Sequence, residues 1–333
     1  MSPRLLAFTQ RGYDLAQAVG EKLGGEVSRC GQGCTLESWT AEGFRAGESL
    51  IFVGAVGIAV RAIAPFVKSK TVDPAVVAVD EGGRYAIPLL SGHLGGANDL
   101  ARNIAGICGA QAVITTATDV RGLFPVDQWA RCQGLRVENP EKIKVVSAKL
   151  LAGDAISVKS DWPIHGTPPG GVELWTGEGC DVEISFRPGE EAALHLLPPI
   201  AVLGVGCKRG TQQENLEGAF LQLLAREGLS LRAVGKVCSI DLKQDEPGLL
   251  AFCRAHNLPL ETYSAQRLAA VPGAFPASDF VRRVTGVDNV CQRAAALGSG
   301  GGAERLLGEK YQREGVTMAL ALGDAALDWR IYE

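Results

Sequence analysis

The sequence predicts an α/β protein with two α/β domains, in which the sheets are mainly parallel, joined by a smaller mixed α+β middle domain. In the first and last thirds of the chain, apolar runs of strand length alternate with segments of helical periodicity, the pattern of α/β domains. The 333 residues include 42 glycines, which is typical of many tight strand-to-helix turns. Because this length exceeds one ordinary core, we predict domains at residues 1–122, 123–197 and 198–333.

The first domain alternates strand and helix patterns. Two of its strands flank an Asp-Glu-Gly-Gly turn and are expected to pair around it. We predict strands at residues 5–8, 49–55, 75–80, 85–90 and 112–116, and helices at residues 13–23, 58–67 and 97–108.

The pattern loosens between residues 123 and 197, where one helix near residues 140–151 precedes three short β-like pieces. Consecutive prolines at positions 198 and 199 mark a boundary, because they can continue neither a helix nor a central strand. Beyond them the α/β pattern returns. We predict strands at residues 200–206, 233–240, 260–263 and 316–322, and helices at residues 214–226, 248–256, 279–284 and 290–297.

Charge and composition exclude several function classes. A formal net charge of −4 provides no general field for nucleic acid or an anionic membrane, so an anionic ligand must meet a local basic cluster. The N-terminal apolar run is too short for a secretory core, and no stretch reaches the ~18 residues of a membrane helix. We therefore expect a cytoplasmic protein. The nine cysteines form no CxxC pair and have no histidine at ligand spacing, so we expect reduced thiols and no metal site.

The most distinctive motif is LLSGHLGGAND, which places His93 between glycines in a predicted strand-to-helix turn. A histidine with little bulk around it can exchange protons near neutral pH, which makes His93 a candidate catalytic group. A hydrogen-bonded loop histidine explains the same pattern, and both interpretations stay open. Asn98 and Asp99 follow in the first turn of the next helix, where they also suit its dipole.

Other polar groups follow strands of the first domain. Glu81 ends an apolar strand and is a candidate acid or base, although a hairpin turn explains it equally well. Thr116 and Asp119 offer ligand contacts or helix capping. Arg61 lies in an apolar run, where an arginine needs a carboxylate partner, whereas Lys68 fits a solvated helix face.

The segment GVGCKRG, Gly204 to Gly210, follows a strand and opens a helix. It fails the dinucleotide fingerprint because its third glycine is one residue late and no acidic residue ends the next strand. A glycine turn still lets backbone amides approach an anion beside Cys207, Lys208 and Arg209. A bound anion and a purely structural turn both remain open.

Two long blocks resemble the CbiG family, the cobalt-precorrin-5A hydrolases of the anaerobic cobalamin pathway. The first block is FVGAVGIAVRAIAPFVKSKTVDPAVVAVDEGGRYAIPLLSGHLGGANDLA, continuing to AVITTATD. The second comprises LGVGCKRGT, KVCSIDLKQDEPGLLAF, PLETYSAQRL, SDFVRRVTGVDNVCQRAAAL and VTMALAL, and is similar to the family's C-terminal domain, which also occurs as the separate protein CobE. The first ~45 residues and the middle domain match loosely.

The resemblance implies a hydrolase of a carbon–carbon bond. Such an enzyme opens the δ-lactone between the ring A acetate and the meso carbon C20, and releases the two-carbon unit as acetaldehyde to give cobalt-precorrin-5B. It implies no organic cofactor, because the cobalt arrives within the corrinoid substrate. The resemblance leaves open whether the protein associates with other enzymes of the pathway or with a second copy of itself. A non-catalytic corrinoid carrier is the alternative, and it predicts binding without turnover.

The residues are assigned roles on this basis. His93 is the first choice of base and Glu81 the second, with the amides around Gly95 and Gly96 as oxyanion donors. A cleft between the two α/β domains is expected to hold the flat ligand. One departure from the family is Gln292, where a glutamate is usual, so an acid role there is in doubt. The candidate substrate-binding residues are Arg61, Lys68, Ser91, Gly92, Gly95, Gly96, Asn98, Thr116, Asp119, Gly204, Gly206, Cys207, Lys208, Arg209, Gly210, Lys236 and Lys243.

Overall fold

The computed structural model describes residues 2–31, 33–69, 72–187, 189 and 193–330. Its three main sheets carry helices, which confirms the predicted α/β class. No helix among these residues is both long and apolar enough to cross a membrane.

The first sheet has six strands in the order β2-β1-β3-β4-β5-β6. Its central strands, LIFV and VVAV, are buried at every position, as expected for strands covered on both faces. The elements are β1 (Arg4–Ala7), α1 (Gln10–Leu23), β2 (Glu26–Arg29), α2 (Leu36–Ala46), β3 (Leu50–Val53), α3 (Val56–Ile63), β4 (Val76–Val79), β5 (Tyr85–Leu90), α4 (Ala97–Cys108), β6 (Gln111–Ala112) and α5 (Ala117–Val120).

The β4–β5 hairpin confirms the predicted pairing and fixes where two candidate residues lie. Val79 pairs with Ala86 near the turn, whereas Val76 pairs with Leu90 at the open end. The turn that carries Glu81 therefore lies at one end of the sheet, and the segment after β5 that carries His93 lies at the other.

The middle region is more regular than predicted. Four of its strands run parallel in the order β10-β8-β11-β12, and β7 joins antiparallel at the edge. The elements are α6 (Val126–Cys132), β7 (Arg136–Val137), α7 (Ile143–Ala152), β8 (Ile156–Ser160), β9 (Ile164–His165), β10 (Val172–Leu174), β11 (Val182–Ile184) and β12 (Leu194–Leu197).

The third sheet has the order β15-β14-β13-β17-β16, with β13, β14 and β15 parallel and the last two strands antiparallel. The prediction missed β16, which alternates poorly between apolar and polar residues. The elements are β13 (Ala201–Cys207), α8 (Gln213–Glu227), β14 (Val234–Ile240), α9 (Pro247–Ala255), β15 (Leu260–Tyr263), α10 (Ala265–Ala269), α11 (Asp279–Thr285), α12 (Cys291–Gly298), β16 (Leu306–Arg313), β17 (Val316–Leu322) and β18 (Leu327–Asp328).

The end of the chain returns to the middle region. β18 pairs with β9, and Trp329 stacks on Trp129 with ring centroids 5.2 Å apart. The sequence placed this segment in the last domain, but its tryptophan is buried in the core of the middle region. Stacking of two aromatic rings far apart in sequence leaves no local pattern, so this docking was invisible to periodicity.

The middle region contacts the third sheet at the amino ends of β13 and β14. Arg136 donates hydrogen bonds to the carbonyls of Arg232 (3.0 Å) and Val234 (2.8 Å). Because β13 and β14 are parallel, their carboxyl ends lie together at the opposite edge of the sheet. That edge faces away from the middle region.

Candidate functional site

His93 lies between two carboxylates at the junction of the first sheet and the middle region. Its Nε2 is 2.7 Å from Oδ2 of Asp119, and its Nδ1 is 3.1 Å from Oδ1 of Asp127. Only 12% of the His93 side chain is exposed. Burial by itself lowers the pKa of His93, but the hydrogen bonds and charges of Asp127 and Asp119 outweigh it and raise the pKa to about 9.

This geometry bears on the role predicted for His93. An imidazole accepts a proton through a free nitrogen lone pair, and here both nitrogens carry protons donated to aspartates at neutral pH. This arrangement favours a structural role, in which a His93 imidazolium holds two carboxylates, over the base role, which stays a prediction.

A wider network continues from these carboxylates. Asp119 also accepts hydrogen bonds from Arg102 (2.8 Å) and Asn98 (3.2 Å). Burial raises the pKa of Asp119, but the hydrogen bonds and charges of His93 and Arg102 lower it by more, so the pKa lies below its usual value. Asp99 binds Arg102 at 2.9 Å and also pairs with Arg131 of α6, so the network ties the first sheet to the middle region.

The glycine loop around His93 is shaped by packing. Ser91 has a φ of +57°, and its hydroxyl donates to the carbonyl of Asp73 at 2.8 Å. The Gly96 amide donates to the carbonyl of His93 at 3.0 Å, so it is not available as an oxyanion donor. A Cβ on Gly92 would crowd Asn98, and one on Gly95 would overlap Ser91. The network is enclosed by this loop and by Thr116, whose hydroxyl lies 3.4 Å from the side-chain amide nitrogen of Asn98.

Three other candidates of the first domain lie apart from His93 or face solvent. Glu81 is exposed and accepts a hydrogen bond from Thr9 at 2.8 Å, at the opposite end of the sheet from His93. The two residues cannot share one active site. Arg61 is exposed and donates to the carbonyl of Gly57 in its own helix, so it needs no carboxylate partner. Lys68 is also exposed, but α3 ends at Ile63, so Lys68 does not lie on the solvated helix face that the sequence predicted.

A cleft of about 630 Å³ lies at the carboxyl ends of β13 and β14. The loops after these strands form one side, and α11, the start of α12 and the β16–β17 hairpin form the rest. Its described lining residues all belong to the third sheet and its helices. They are Gly206, Cys207, Lys208, Arg209, Ile240, Leu242, Lys243, Ser278, Phe280, Val281, Val284, Thr285, Asp288, Asn289, Val290, Cys291, Lys310, Gln312, Gly315 and Thr317. The cleft between the two α/β domains stays a prediction.

The cleft has an exposed apolar surface. Phe280 and Val284 lie one turn apart on α11 and are 65% and 62% exposed, and Leu242 is 60% exposed. Isolated exposed hydrophobic residues are common, but several around one concave site are typical of a binding surface.

The cleft also carries the cations Lys208, Arg209, Lys243 and Lys310. Three of them, Lys208, Arg209 and Lys310, form no ion pair with the described part of the chain. Lys243 donates to Glu246 at 2.9 Å. Surface cations next to apolar walls favour an anionic ligand with an apolar body.

The structure corrects several details predicted for this region. The amides of Lys208 and Gly210 donate to the carbonyl of Gly315 and to Glu246, so side-chain charges rather than these amides are available to an anion. Gly204 touches α12 so closely that a Cβ would overlap the carbonyl of Cys291, which makes it a packing residue. Lys236 pairs with Glu261 at 2.9 Å and is not a cleft residue.

Gln292 is also a packing residue. Its Oε1 accepts a hydrogen bond from the Asn289 amide at 2.7 Å, and 5% of Gln292 is exposed. A glutamate oxygen could accept the same bond, so the departure at this position leaves the local structure intact. Burial raises the pKa of the Cys207 thiol, which disfavours a nucleophilic thiolate on the cleft wall.

Sequence reasoning missed the apolar wall and two carboxylates, Asp288 and Glu246. The available signal was the spacing of Phe280 and Val284, which places both side chains on one face of a short helix. No group of three or more His, Cys, Asp or Glu side chains within the described ranges is arranged to hold a metal ion.

Comparisons with known proteins give concordant results. The family model for the cobalamin synthesis G N-terminal region matches residues 38–119, and that for its C-terminus matches residues 201–321. The chain is 35% identical over 306 residues to a cobalt-precorrin-5A hydrolase of Salmonella typhimurium, covering 84% of each chain. It is 34% identical over 300 residues to one of Priestia megaterium, covering 84% of this chain and 79% of the relative. A protein CobE of Sinorhizobium is 33% identical over 127 residues, covering 38% of this chain and 81% of the relative. The chain belongs to the cobalamin synthesis G (CbiG) family.

Proposed function

We propose that this protein hydrolyses cobalt-precorrin-5A, opening the ring A acetate δ-lactone and releasing the C20 two-carbon unit as acetaldehyde to give cobalt-precorrin-5B. The names of the two relatives that cover 84% of the chain support this substrate. The reaction consumes water, and its cobalt enters as part of the substrate, so the proposal includes no further cofactor.

The observation that carries the proposal is the pairing of an apolar wall with a basic rim in one cleft. A corrinoid precursor is a flat macrocycle with apolar faces and many acetate and propionate groups at its edge. Phe280 and Val284 offer contact to a face, while Lys208 and Arg209 offer charge-assisted hydrogen bonds to edge carboxylates.

The same cations suit the first chemical step. Attack of water on the lactone carbonyl places negative charge on its oxygen, and breaking of the acyl–oxygen bond transfers that charge to the C20 oxygen. A lysine or arginine beside either oxygen stabilises the developing charge. The C20 hydroxyl then loses its proton to solvent water, and the carbon–carbon bond breaks with its electron pair entering the conjugated macrocycle, so that the two-carbon unit leaves as acetaldehyde.

Asp288 is the carboxylate among the described cleft residues, and we assign it the task of orienting the water. Arg293 donates to it at 2.8 Å and Arg282 at 3.3 Å. The hydrogen bonds and charges of these arginines hold its pKa below the usual range despite burial, so it is ionised at neutral pH. Such a weak base positions water well but accepts its proton poorly. Charge stabilisation by the cations therefore carries most of the proposed rate enhancement.

A carrier function is the second candidate, because none of the described ionisable cleft residues is an efficient proton acceptor. They are cations, a salt-bridged aspartate and thiols. To separate the two functions, the purified full-length protein is incubated anaerobically with cobalt-precorrin-5A. Acetaldehyde is then measured by coupled reduction with alcohol dehydrogenase and NADH. We expect acetaldehyde equal in amount to the substrate consumed. Bound substrate that persists without aldehyde would support the carrier.

A further inference from the structure

The loops after β13 and β14 are joined by one buried carboxylate, Glu246. The Gly210 amide donates to its Oε1 at 2.7 Å, and the Lys243 ammonium donates to its Oε2 at 2.9 Å. Only 5% of the Glu246 side chain is exposed, so a bound substrate has little access to this carboxylate. Burial raises the pKa of Glu246, but Lys243 and the Gly210 amide lower it more, and the group is ionised at neutral pH.

Further contacts make the first of these loops rigid. The Thr211 hydroxyl donates to the carbonyl of Lys208 at 2.8 Å. Gly248 of α9 packs so closely that a Cβ there would overlap the carbonyl of Thr211. The cations Lys208 and Arg209 therefore project from a loop whose backbone is fixed against the N-terminus of α9, where Glu246 lies.

We propose that Glu246 is a positioning residue for substrate binding: it fixes the Lys243 ammonium relative to the Lys208–Arg209 loop, so that two edge carboxylates of one macrocycle are held at once. The identity of the ligand rests on the proposed function. The gain comes from preorganisation, because long lysine side chains lose rotamer freedom when they bind, and Glu246 imposes part of that order in advance.

Charge alone predicts the opposite sign. Glu246 is negative, so a purely electrostatic role predicts that its neutralisation tightens the binding of a polyanion. Positioning predicts that Glu246→Gln weakens it, because the amide keeps an acceptor for Gly210 but loses the charge-assisted hydrogen bond to Lys243. Glu246→Asp keeps the charge and retracts the carboxylate, so charge alone predicts no change, whereas positioning again predicts a loss.

The test is binding of cobyrinic acid, a stable corrinoid polycarboxylate, to the full-length protein by calorimetry. We expect about tenfold weaker binding for Glu246→Gln and for Lys243→Met, and no further loss in the double variant, because coupled residues are non-additive. Glu217→Gln is the matched control, since it removes a comparable pair with His256 outside the cleft, and we expect unchanged affinity.

Equal or tighter binding by Glu246→Gln, additive losses in the double variant, or no binding by the wild type would overturn the proposal. If Glu246→Gln does not fold, Glu246→Asp decides the question on affinity alone. The result is separable from the proposed function, because a protein that binds cobyrinic acid through Glu246 but releases no acetaldehyde fails only as a hydrolase.

Discussion

The His93 network and the C-terminal cleft differ in whether their charged side chains have ion-pair partners within the described protein. The network pairs three carboxylates, Asp99, Asp119 and Asp127, with three cations, His93, Arg102 and Arg131. Its charges balance within the protein. The cleft presents Lys208, Arg209 and Lys310 without ion-pair partners in the described chain, beside exposed apolar side chains. A network whose charges are all paired joins two parts of a protein, whereas unpaired charges are available to bind a ligand.

The largest expected effect concerns the stability of the His93 network. His93→Gln removes the cation between two buried aspartates, and breaking a buried ion pair costs about 3–5 kcal/mol. We expect a loss of this order in the free energy of unfolding by urea, with cobyrinic acid affinity unchanged. Full stability with abolished turnover would instead make His93 a catalytic residue and reverse the comparison.

The pH dependence of stability tests the same group. The pKa of His93 is about 9 in the folded protein and about 6.5 in an unfolded chain. Its stabilisation is therefore fully present below pH ~6.5 and is lost as pH rises through about 9, a change on the order of 3 kcal/mol. We expect the stability difference between wild type and His93→Gln to shrink over this window. A difference that is flat from pH 6 to pH 10 would show that His93 is not held as an imidazolium.

Removing the cations at the cleft is expected to cost less free energy of binding than the loss of His93 costs in free energy of unfolding. Lys208→Ala with Arg209→Ala deletes two charge-assisted contacts, and we expect about 100-fold weaker binding of cobyrinic acid with little change in unfolding. Arg61→Ala with Lys68→Ala is the matched control, because it removes the same charge from the first domain. Equal losses in both double variants would mean that net charge, rather than the cleft, attracts the ligand.

The apolar wall should give the smallest effect. Phe280 is 65% exposed, so Phe280→Ser is expected to leave folding intact and to weaken binding by about tenfold. Val72→Ser alters an equally exposed hydrophobic residue in the first domain and serves as its control. Isothermal calorimetry of both variants checks the prediction, and unchanged affinity for Phe280→Ser would remove α11 from the binding surface.

Local patterns predicted much of the fold. The bounds of α4, β15 and β17 coincide with those predicted, because each segment has a clear period and ends at glycine or polar residues. The docking of Trp329 on Trp129 was not predictable, since it depends on contacts between residues far apart in sequence.

The candidate site was predicted only in part, for a similar reason. The glycine turn with Lys208 and Arg209 does line a cleft, because loops at the carboxyl ends of parallel strands gather there. His93 attracted attention through its glycine neighbours, but the aspartates that occupy both its nitrogens lie 26 and 34 residues away. Whether a polar residue is satisfied is a tertiary property, and no local motif reports it.

The most direct test of the account is a crystal structure of the full-length protein with cobyrinic acid bound. We expect the macrocycle in the C-terminal cleft, with one face against Phe280 and edge carboxylates at Lys208 and Lys243. A macrocycle bound instead at His93, with Asp119 and Asp127 turned toward it, would contradict the account.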